Sequence, residues 1–503
     1  MGIIAKQSSW NFIILYLGVA LGVVNNFVMA HAMSPEELGI VGILMSMMLL
    51  GGQIALFGGA QSIIKFYPKL GKESATGFAY FILRNTLISL GIAIITYFCI
   101  EDLLIGFYED RSSIFGNYAL LYIPLLTFFV FQEFFGSYVR SLLKSVAHTF
   151  VREVLLRLYQ GILFILLMTS VIHFDVFLVL YVGGYLLTAT IYGIIAITSD
   201  AKNFSFGRKL DRKSKREITR FSWAIFTTGI SGAALGNIDV IMIGAIAPIV
   251  ASMDGTLDGV DLAGVYSRML FMAVLILVPL RSIQNIAVPL VSRAWSKKDY
   301  GDLKSVYMKS SLTMMIIGVV TFAGIWVNID YILSLFPEHF VIGKYAFLVL
   351  AVGNLIQLSL GVNGPIIWNS PKYIVSSIGV PLLAIIAIVS NYYFIPRYGI
   401  VGAAFATVLS KFIFNLAMYL FLLIQYKMQP FTWRNMYVIG VGVAIVLLVD
   451  LIPDQGSLVL DVLVRSVVVL ILFIPAIIVP KISAEINEMT GNVLKRIWPG
   501  KSF

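Results

Sequence analysis

The chain has 503 residues, of which 59% are hydrophobic and only 12% charged, and its formal net charge is +10. A water-soluble domain coats itself with far more charge, so lipid is the solvent for most of this chain. A single cysteine, Cys99, excludes an intramolecular disulfide and a thiolate metal cluster, and His31, His148, His173 and His339 lack metal-ligand spacing, so no metal or cofactor is expected.

The apolar residues fall into runs of roughly 18–25, the length that crosses about 30 Å of hydrocarbon. In chain order the predicted spans are 9–31, 38–60, 77–100, 115–137, 150–171, 175–198, 220–247, 262–292, 305–328, 341–366, 373–395, 400–425, 433–451 and 458–480. The fold class is thus an all-α integral membrane protein of about fourteen transmembrane helices. Lys6, the first apolar run and Ala30-His31-Ala32 resemble a signal peptide. The run is longer than a typical signal core and carries Asn25 and Asn26, which reads as a retained first span.

Basic residues collect in alternate loops, which argues against nucleic-acid binding and for topology. Lys65, Lys69 and Lys72 follow span two, and Arg140, Lys144 and Arg152 follow span four. The loop 199–219 is the most basic, and Lys495, Arg496 and Lys501 end the chain. The other loops carry Glu36, Glu37, Glu101, Asp102, Asp330 and Asp454. By the positive-inside rule both termini are cytoplasmic.

The basic loop splits the chain into an N-terminal six-helix bundle (1–198), a linker (199–219), a C-terminal six-helix bundle (220–425), and two extra helices with a tail (426–503). A related phrase recurs in each bundle. Glu37-Leu38-Gly39-Ile40-Val41-Gly42 opens span two, and Leu262-Ala263-Gly264-Val265-Tyr266-Ser267 opens span eight. Repeats packed about a central cleft are a common transporter plan.

A charged side chain at mid-membrane costs about 2.5–3.5 kcal/mol, so it usually meets a partner or a wet cavity. Lys411 lies mid-way along span twelve, where Thr407, Lys411, Asn415 and Tyr419 form one stripe. A cavity-lining role and a buried interhelical bond both account for it. Span eight carries Arg268 toward its outer end and Arg281, Gln284 and Asn285 toward its inner end, with Pro279 interrupting the helix between them. Asp239 reaches a depth similar to Arg268, which suits either a simple ion pair or a gate. In the first bundle Arg84, Glu133 and Arg157 lie toward the cytoplasmic ends of their spans. Glu133 shares a face with Arg140, and Glu153 can pair with Arg157. Snorkelling explains these residues blandly; a cationic vestibule for a phosphate-bearing ligand explains them functionally. Asp461 and Arg465 read as a local pair. The Asp254–Asp261 loop faintly suggests calcium, against the plainer reading of a solvated turn. No phosphate-binding Walker loop occurs, and no carboxylate pair or Ser/His/Asp group sits in a loop long enough to form an active site.

Four phrases carry a resemblance. They are the long run from Ile395-Pro396-Arg397-Tyr398-Gly399 to Ser410, Ser34-Pro35-Glu36-Glu37-Leu38-Gly39-Ile40, Asp239-Val240-Ile241-Met242-Ile243-Gly244, and Gly264-Val265-Tyr266-Ser267. In order, spacing and span count the chain resembles the polysaccharide-export flippases. These are the Wzx-like members of the multidrug/oligosaccharidyl-lipid/polysaccharide transporter superfamily. The resemblance implies two pseudo-symmetric six-helix bundles in a V, opening alternately to each side of the cell (inner) membrane. The substrate it implies is an undecaprenyl-pyrophosphate-linked oligosaccharide, with membrane lipids, a polysaccharide polymerase and glycosyltransferases as partners. Its pyrophosphate would need cations such as Arg84, Arg157, Arg281, Arg268 and Lys411, with Asn415 beside the sugars and the isoprenoid tail beside spans thirteen and fourteen. Asp239 or Glu133 would bind a coupling ion. Competing readings are a peptidoglycan lipid-precursor flippase, a drug exporter with twelve spans, a membrane-embedded transferase acting on lipid-linked sugars, and a non-transporting assembly subunit.

Overall fold

Helices account for nearly all of the residues that the computed structural model describes, namely 2–69, 72–109, 115–200, 210–252, 255–372 and 374–488. By contact the chain falls into two compact units, Met1–Ser267 and Arg268–Phe503.

In the first unit, α1 (Gly2–Ala32) is followed by α2 (Pro35–Leu56). The start of α2 is written in its own sequence. The Ser34 hydroxyl accepts the Glu37 N–H at 3.2 Å while Glu37 accepts the Ser34 N–H at 2.8 Å, and Pro35 fills the first turn. This reciprocal cap satisfies two of the four N–H groups that a helix start leaves bare. Next come α3 (Gly59–Phe66), α4 (Lys72–Glu109), α5 (Phe115–Tyr118) and α6 (Tyr122–Ser141). α2 packs closely on α6 because Gly51 and Gly52 bear no side chain: a Cβ there would sit 2.0 Å from the Tyr122 hydroxyl and 2.4 Å from the Phe129 ring.

α7 (Ser145–Phe150) runs through a π-helical turn, Val151–Leu155, into α8 (Leu156–Met168), and α9 (Phe174–Asp200) packs along α6. α10 (Arg212–Ile246) is capped by Asp211, whose carboxylate accepts the Ser214 N–H at 3.0 Å. The expected basic linker therefore ends early. Arg212, Lys213, Lys215 and Arg216 belong to the first turns of α10, while Lys202, Arg208 and Lys209 lie outside the described residues. A short antiparallel hairpin, β1 (Val250–Ser252) and β2 (Gly255–Leu257), leads into α11 (Gly259–Val274). The contact boundary at Ser267 lies beyond that linker because α10 packs against α2 and α11 opens against the same helix.

In the second unit, Pro279 stands in the first turn of α12 (Val278–Lys297), so span eight breaks where the sequence predicts. There follow α13 (Tyr300–Trp326), α14 (Ile329–Ser334), α15 (Lys344–Ser359) and α16 (Asn363–Trp368). α17 (Ile374–Tyr426) is two rods. Gly399 departs from helical geometry at φ 55°, ψ −136°, and Ser390 and Ser410 on the two arms come within 3.4 Å. α18 (Trp433–Asp450) and α19 (Leu458–Ile478) complete the fold. Arg465 pairs with Asp454 at 3.3 Å and donates to the carbonyls of Val449 and Ile452 at the end of α18. It does so in place of the expected Asp461, which accepts the Gln455 N–H at 2.7 Å.

Among the described residues, twelve helices are long and apolar enough to cross a membrane. The sequence leads one to expect fourteen, and the difference falls at two places. Gly379–Tyr426 counts once although it holds both arms of α17, and the π turn divides the rod 145–168 into pieces too short to count. Outward faces are apolar: Ile95, Val389, Leu447 and Ile424 are all more than 60% exposed. Such surface is stable in hydrocarbon and unstable in water. The chain is a multi-pass membrane protein.

Candidate functional site

Among the described residues, four local arrangements of polar groups bear on the sequence candidates. In the first unit, Asp239 on α10 is 1% exposed; its carboxylate accepts the Tyr266 hydroxyl at 2.6 Å and the Val240 N–H at 2.9 Å. Arg268 is half-buried on α11, two residues past Tyr266.

Around this carboxylate, α2 and α11 meet through the repeated phrase itself. A Cβ on Gly39 would lie 1.9 Å from the Val260 carbonyl oxygen, and one on Gly264 would lie 2.7 Å from that of Pro35 and 2.8 Å from the Gly39 nitrogen. The glycines of the two repeats thus touch each other. Their helices also start alike. At α11 the Asp258 carboxylate accepts the Val260 and Asp261 N–H groups at 2.8 and 3.0 Å, and Asp261 accepts the Asp258 N–H at 2.9 Å. Burial pushes the Asp258 carboxyl above the usual carboxylate range, with the two backbone donors opposing it. These two carboxylates therefore serve as a helix cap, like Ser34 and Glu37, and not as the calcium loop weighed above; Asp254 lies outside the described residues.

A second arrangement surrounds Glu133 on α6. Arg152, presented by the π turn, lies 3.1 Å from it, and Arg140 lies 3.9 Å away while donating to the Ser137 hydroxyl. Its charge is balanced by two guanidinium groups. The third arrangement joins α1 to α8. Arg157 pairs with Glu153 at 2.8 Å and donates to the Gly18 carbonyl, while Asn25 donates to the Arg157 carbonyl at 2.7 Å. Arg84 is exposed on α4, bonded to Asn85 at 3.3 Å and lying over the Phe81 ring. The cations expected to share an inner vestibule are therefore engaged on different elements.

The fourth arrangement lies in the second unit, where α15 stops at Ser359 and α16 begins at Asn363. Gly361 makes this break possible with φ 57°, and Ser311 of α13 donates to the Ser359 carbonyl. Asn363 donates to Asn415 at 3.3 Å, and Asn415 donates to the Lys411 carbonyl at 2.9 Å. Lys411 is half-buried and Thr407 buried on the same arm of α17. Thr407, Lys411 and Asn415 thus lie on one arm of α17, and Asn415 meets the helix break through Asn363. Sequence reasoning missed Asn391, which is fully buried near the Ser390–Ser410 contact; neither of its amide atoms has a hydrogen-bond partner among the described residues. The side chain of Arg281 lies outside the described residues. Asn354, buried on α15, donates to the Ala273 carbonyl at 2.8 Å and so joins α15 to α11.

The family model described as polysaccharide biosynthesis protein matches residues 4–295, more than half of the chain. The chain belongs to that family. Three of the four phrases that carry the sequence resemblance fall inside the matched region; the run from Ile395 to Ser410 lies beyond it. A second model, MatE, matches residues 238–363. No curated protein matches the chain. Among solved structures, the lipid II flippase MurJ in an inward closed conformation aligns with a TM-score of 0.69 at 13% identity, covering 92% of this chain and 97% of that one. An inward-facing multidrug resistance MATE family transporter of the MOP superfamily aligns at 0.56 and 15% identity, over 81% and 94%. A MOP superfamily transporter from Pyrococcus furiosus aligns at 0.54 and 13%, over 84% and 95%. This family member therefore has the fold shared by a lipid-precursor flippase and multidrug transporters, as the resemblance implies.

Proposed function

We propose that the protein turns an undecaprenyl-pyrophosphate-linked oligosaccharide from the cytoplasmic to the outer leaflet of the cell membrane, for surface polysaccharide assembly. The observation that carries this reading is the family match, together with a lysine held inside the membrane beside a broken helix. Discontinuous helices and intramembrane charges are where transporters of this build place their substrates. On this reading the bundles 1–198 and 220–425 form a V that opens alternately to each side, with 426–503 appended and both termini cytoplasmic. Lys411 with Asn415 binds the pyrophosphate and first sugars, Arg268 and Arg281 extend the cationic lining, and Arg84 guides the headgroup in from the inner leaflet. A polymerase and glycosyltransferases act on either side of the step.

The test is deletion followed by analysis of lipid-linked intermediates. A completed oligosaccharide accumulating on the cytoplasmic leaflet supports export; an incomplete one points to a transferase and sinks the proposal. A second reading, a peptidoglycan-precursor flippase, is favoured by the higher TM-score of the MurJ alignment. In that case the accumulating lipid carries the peptidoglycan precursor.

For the coupling ion we favour Asp239, whose carboxylate is 1% exposed within its span and accepts from the Tyr266 hydroxyl and the Val240 N–H. Asp239→Asn should abolish the response of transport to an imposed proton or sodium gradient in proteoliposomes. Glu133→Gln should lower the thermal midpoint and leave the gradient response intact. The reverse pattern would transfer the role to Glu133.

A further inference from the structure

In the second unit a cavity and a groove share two helices. The cavity, of 590 Å³, is bordered by Lys304 and Lys309 of α13, Trp433 and Arg434 at the start of α18, and Glu485. Three cations and one carboxylate line it, a net charge of 3 − 1 = +2. The groove, of 360 Å³, is bordered by Val319, Phe322 and Trp326 of α13 and by Ile439 and Val443 of α18. Positions 308 and 312 of α13 line the cavity, and 315, 319, 322 and 326 line the groove. That spacing of three and four places both along one face of the helix.

We infer that this slot holds one anionic phospholipid, with its phosphate in the cavity and one acyl chain in the groove. Basic pockets at the ends of membrane helices take anionic headgroups, and lysine and arginine make their strongest hydrogen bonds to phosphate oxygens. Trp433 is 67% exposed at the mouth, the place of an aromatic at the headgroup level. The groove behind is almost wholly apolar, with the Ser359 hydroxyl and the Trp326 indole its polar side-chain groups. An apolar groove of 360 Å³ beside a basic cavity suits a hydrocarbon chain carried by an anionic headgroup.

Glu485 marks the phosphate position. Its carboxylate sits 3.0 Å from the Lys309 ammonium, while the Ser483 hydroxyl donates to it and Arg434 donates to the Ile482 carbonyl at 3.1 Å. An anion of this chain thus occupies the cation that a headgroup would take. Lipid binding displaces Glu485 and loosens the segment after α19. Which leaflet supplies the lipid rests on the orientation proposed above; the binding itself does not.

The full-length protein, purified and delipidated, is titrated with phosphatidylglycerol, phosphatidylethanolamine of the same chains, undecaprenyl phosphate and inorganic phosphate, and bound molecules are counted by native mass spectrometry. One phosphatidylglycerol should bind at least tenfold more tightly than phosphatidylethanolamine. The Lys304→Gln/Arg434→Gln protein, altered only at exposed positions, should lose that preference. Glu485→Gln should tighten binding, and Val443→Trp should weaken it by filling the groove. Equal affinity for the two phospholipids, or a preference unchanged by Lys304→Gln/Arg434→Gln in protein with a normal thermal midpoint, overturns the proposal. Undecaprenyl phosphate displacing phosphatidylglycerol at equal concentration assigns the slot to the carrier lipid and overturns it too. So does inorganic phosphate binding as tightly as the lipid. The leaflet is read separately, with Ser305→Cys on a Cys99→Ser background. An impermeant maleimide should label it in inside-out vesicles alone; labelling from the other side reverses the orientation and leaves the binding result standing.

Discussion

Oxidising a Gly42→Cys/Ser267→Cys protein on a Cys99→Ser background should join α2 to α11 and stop transport, and reduction should restore it. A Cβ built on Gly42 lies 3.6 Å from the Ser267 Cβ, within the range of about 3.5–4.5 Å that a disulfide spans. The pair sits one turn from the place where Gly39 and Gly264 meet. That contact is backbone against backbone, since the Val260 and Pro35 carbonyls occupy the space a side chain would need. A seam held this closely has two states, packed or parted, with little room between them. On the alternating-access reading proposed above the seam parts in every cycle, so a covalent tie should reduce flux to the level of empty liposomes. Complete cross-linking with undiminished flux would show that α2 and α11 stay together and that access changes elsewhere.

The second large effect belongs to Lys411. A hydrogen bond between ionised partners contributes about 1.5–3 kcal/mol, so Lys411→Met, which keeps the length and removes the charge, should slow translocation by roughly 10–100-fold. Lys411→Arg should retain part of the rate, because the guanidinium keeps the charge on a longer stem. The alternative is that Lys411 serves only to hold α17 against its neighbours. In that case Lys411→Met changes the thermal midpoint and leaves the rate of the folded fraction unchanged, which removes the residue from the substrate path.

Several of these features are legible in the sequence because their causes are local. The Ser34–Glu37 phrase is a helix cap, a matter of four adjacent residues, and Pro279 breaks span eight for reasons confined to one turn. The Ile395–Gly402 phrase is the turn of α17: Gly399 takes φ 55°, and Gly402 leaves room for the Phe394 carbonyl, 2.2 Å from where its Cβ would stand. The stripe through Lys411 follows from helical period alone. What stays hidden depends on partners far along the chain. Glu133 and Arg140 share a face by spacing, but Arg152 reaches Glu133 only because the π turn shifts the phase of that rod. Nothing in the run of residues announces that turn. Asn363 falls inside the predicted span 341–366, and only the break after α15 brings it to Asn415. Asn391 reads as one more polar residue near a helix end, and only the packing of the two arms reveals that it is buried without a partner. The basic stretch before α10 reads as linker because charge suggests solvent, whereas lysine and arginine are also good helix formers once Asp211 caps the start.

The meeting of Gly39 with Gly264 has a consequence for how the protein is made. The two positions are 264 − 39 = 225 residues apart. At a synthesis rate of ~5–20 residues per second, α2 waits roughly 10–45 s for its partner to leave the ribosome. Its own cap lets α2 form at once, so the interval is spent as a finished helix with a bare glycine face, one that close contact with a wrong helix would also satisfy. Biogenesis therefore has a vulnerable period that the finished fold conceals. An insertase or a lipid that shields this face until α11 arrives would set the yield of correctly assembled protein.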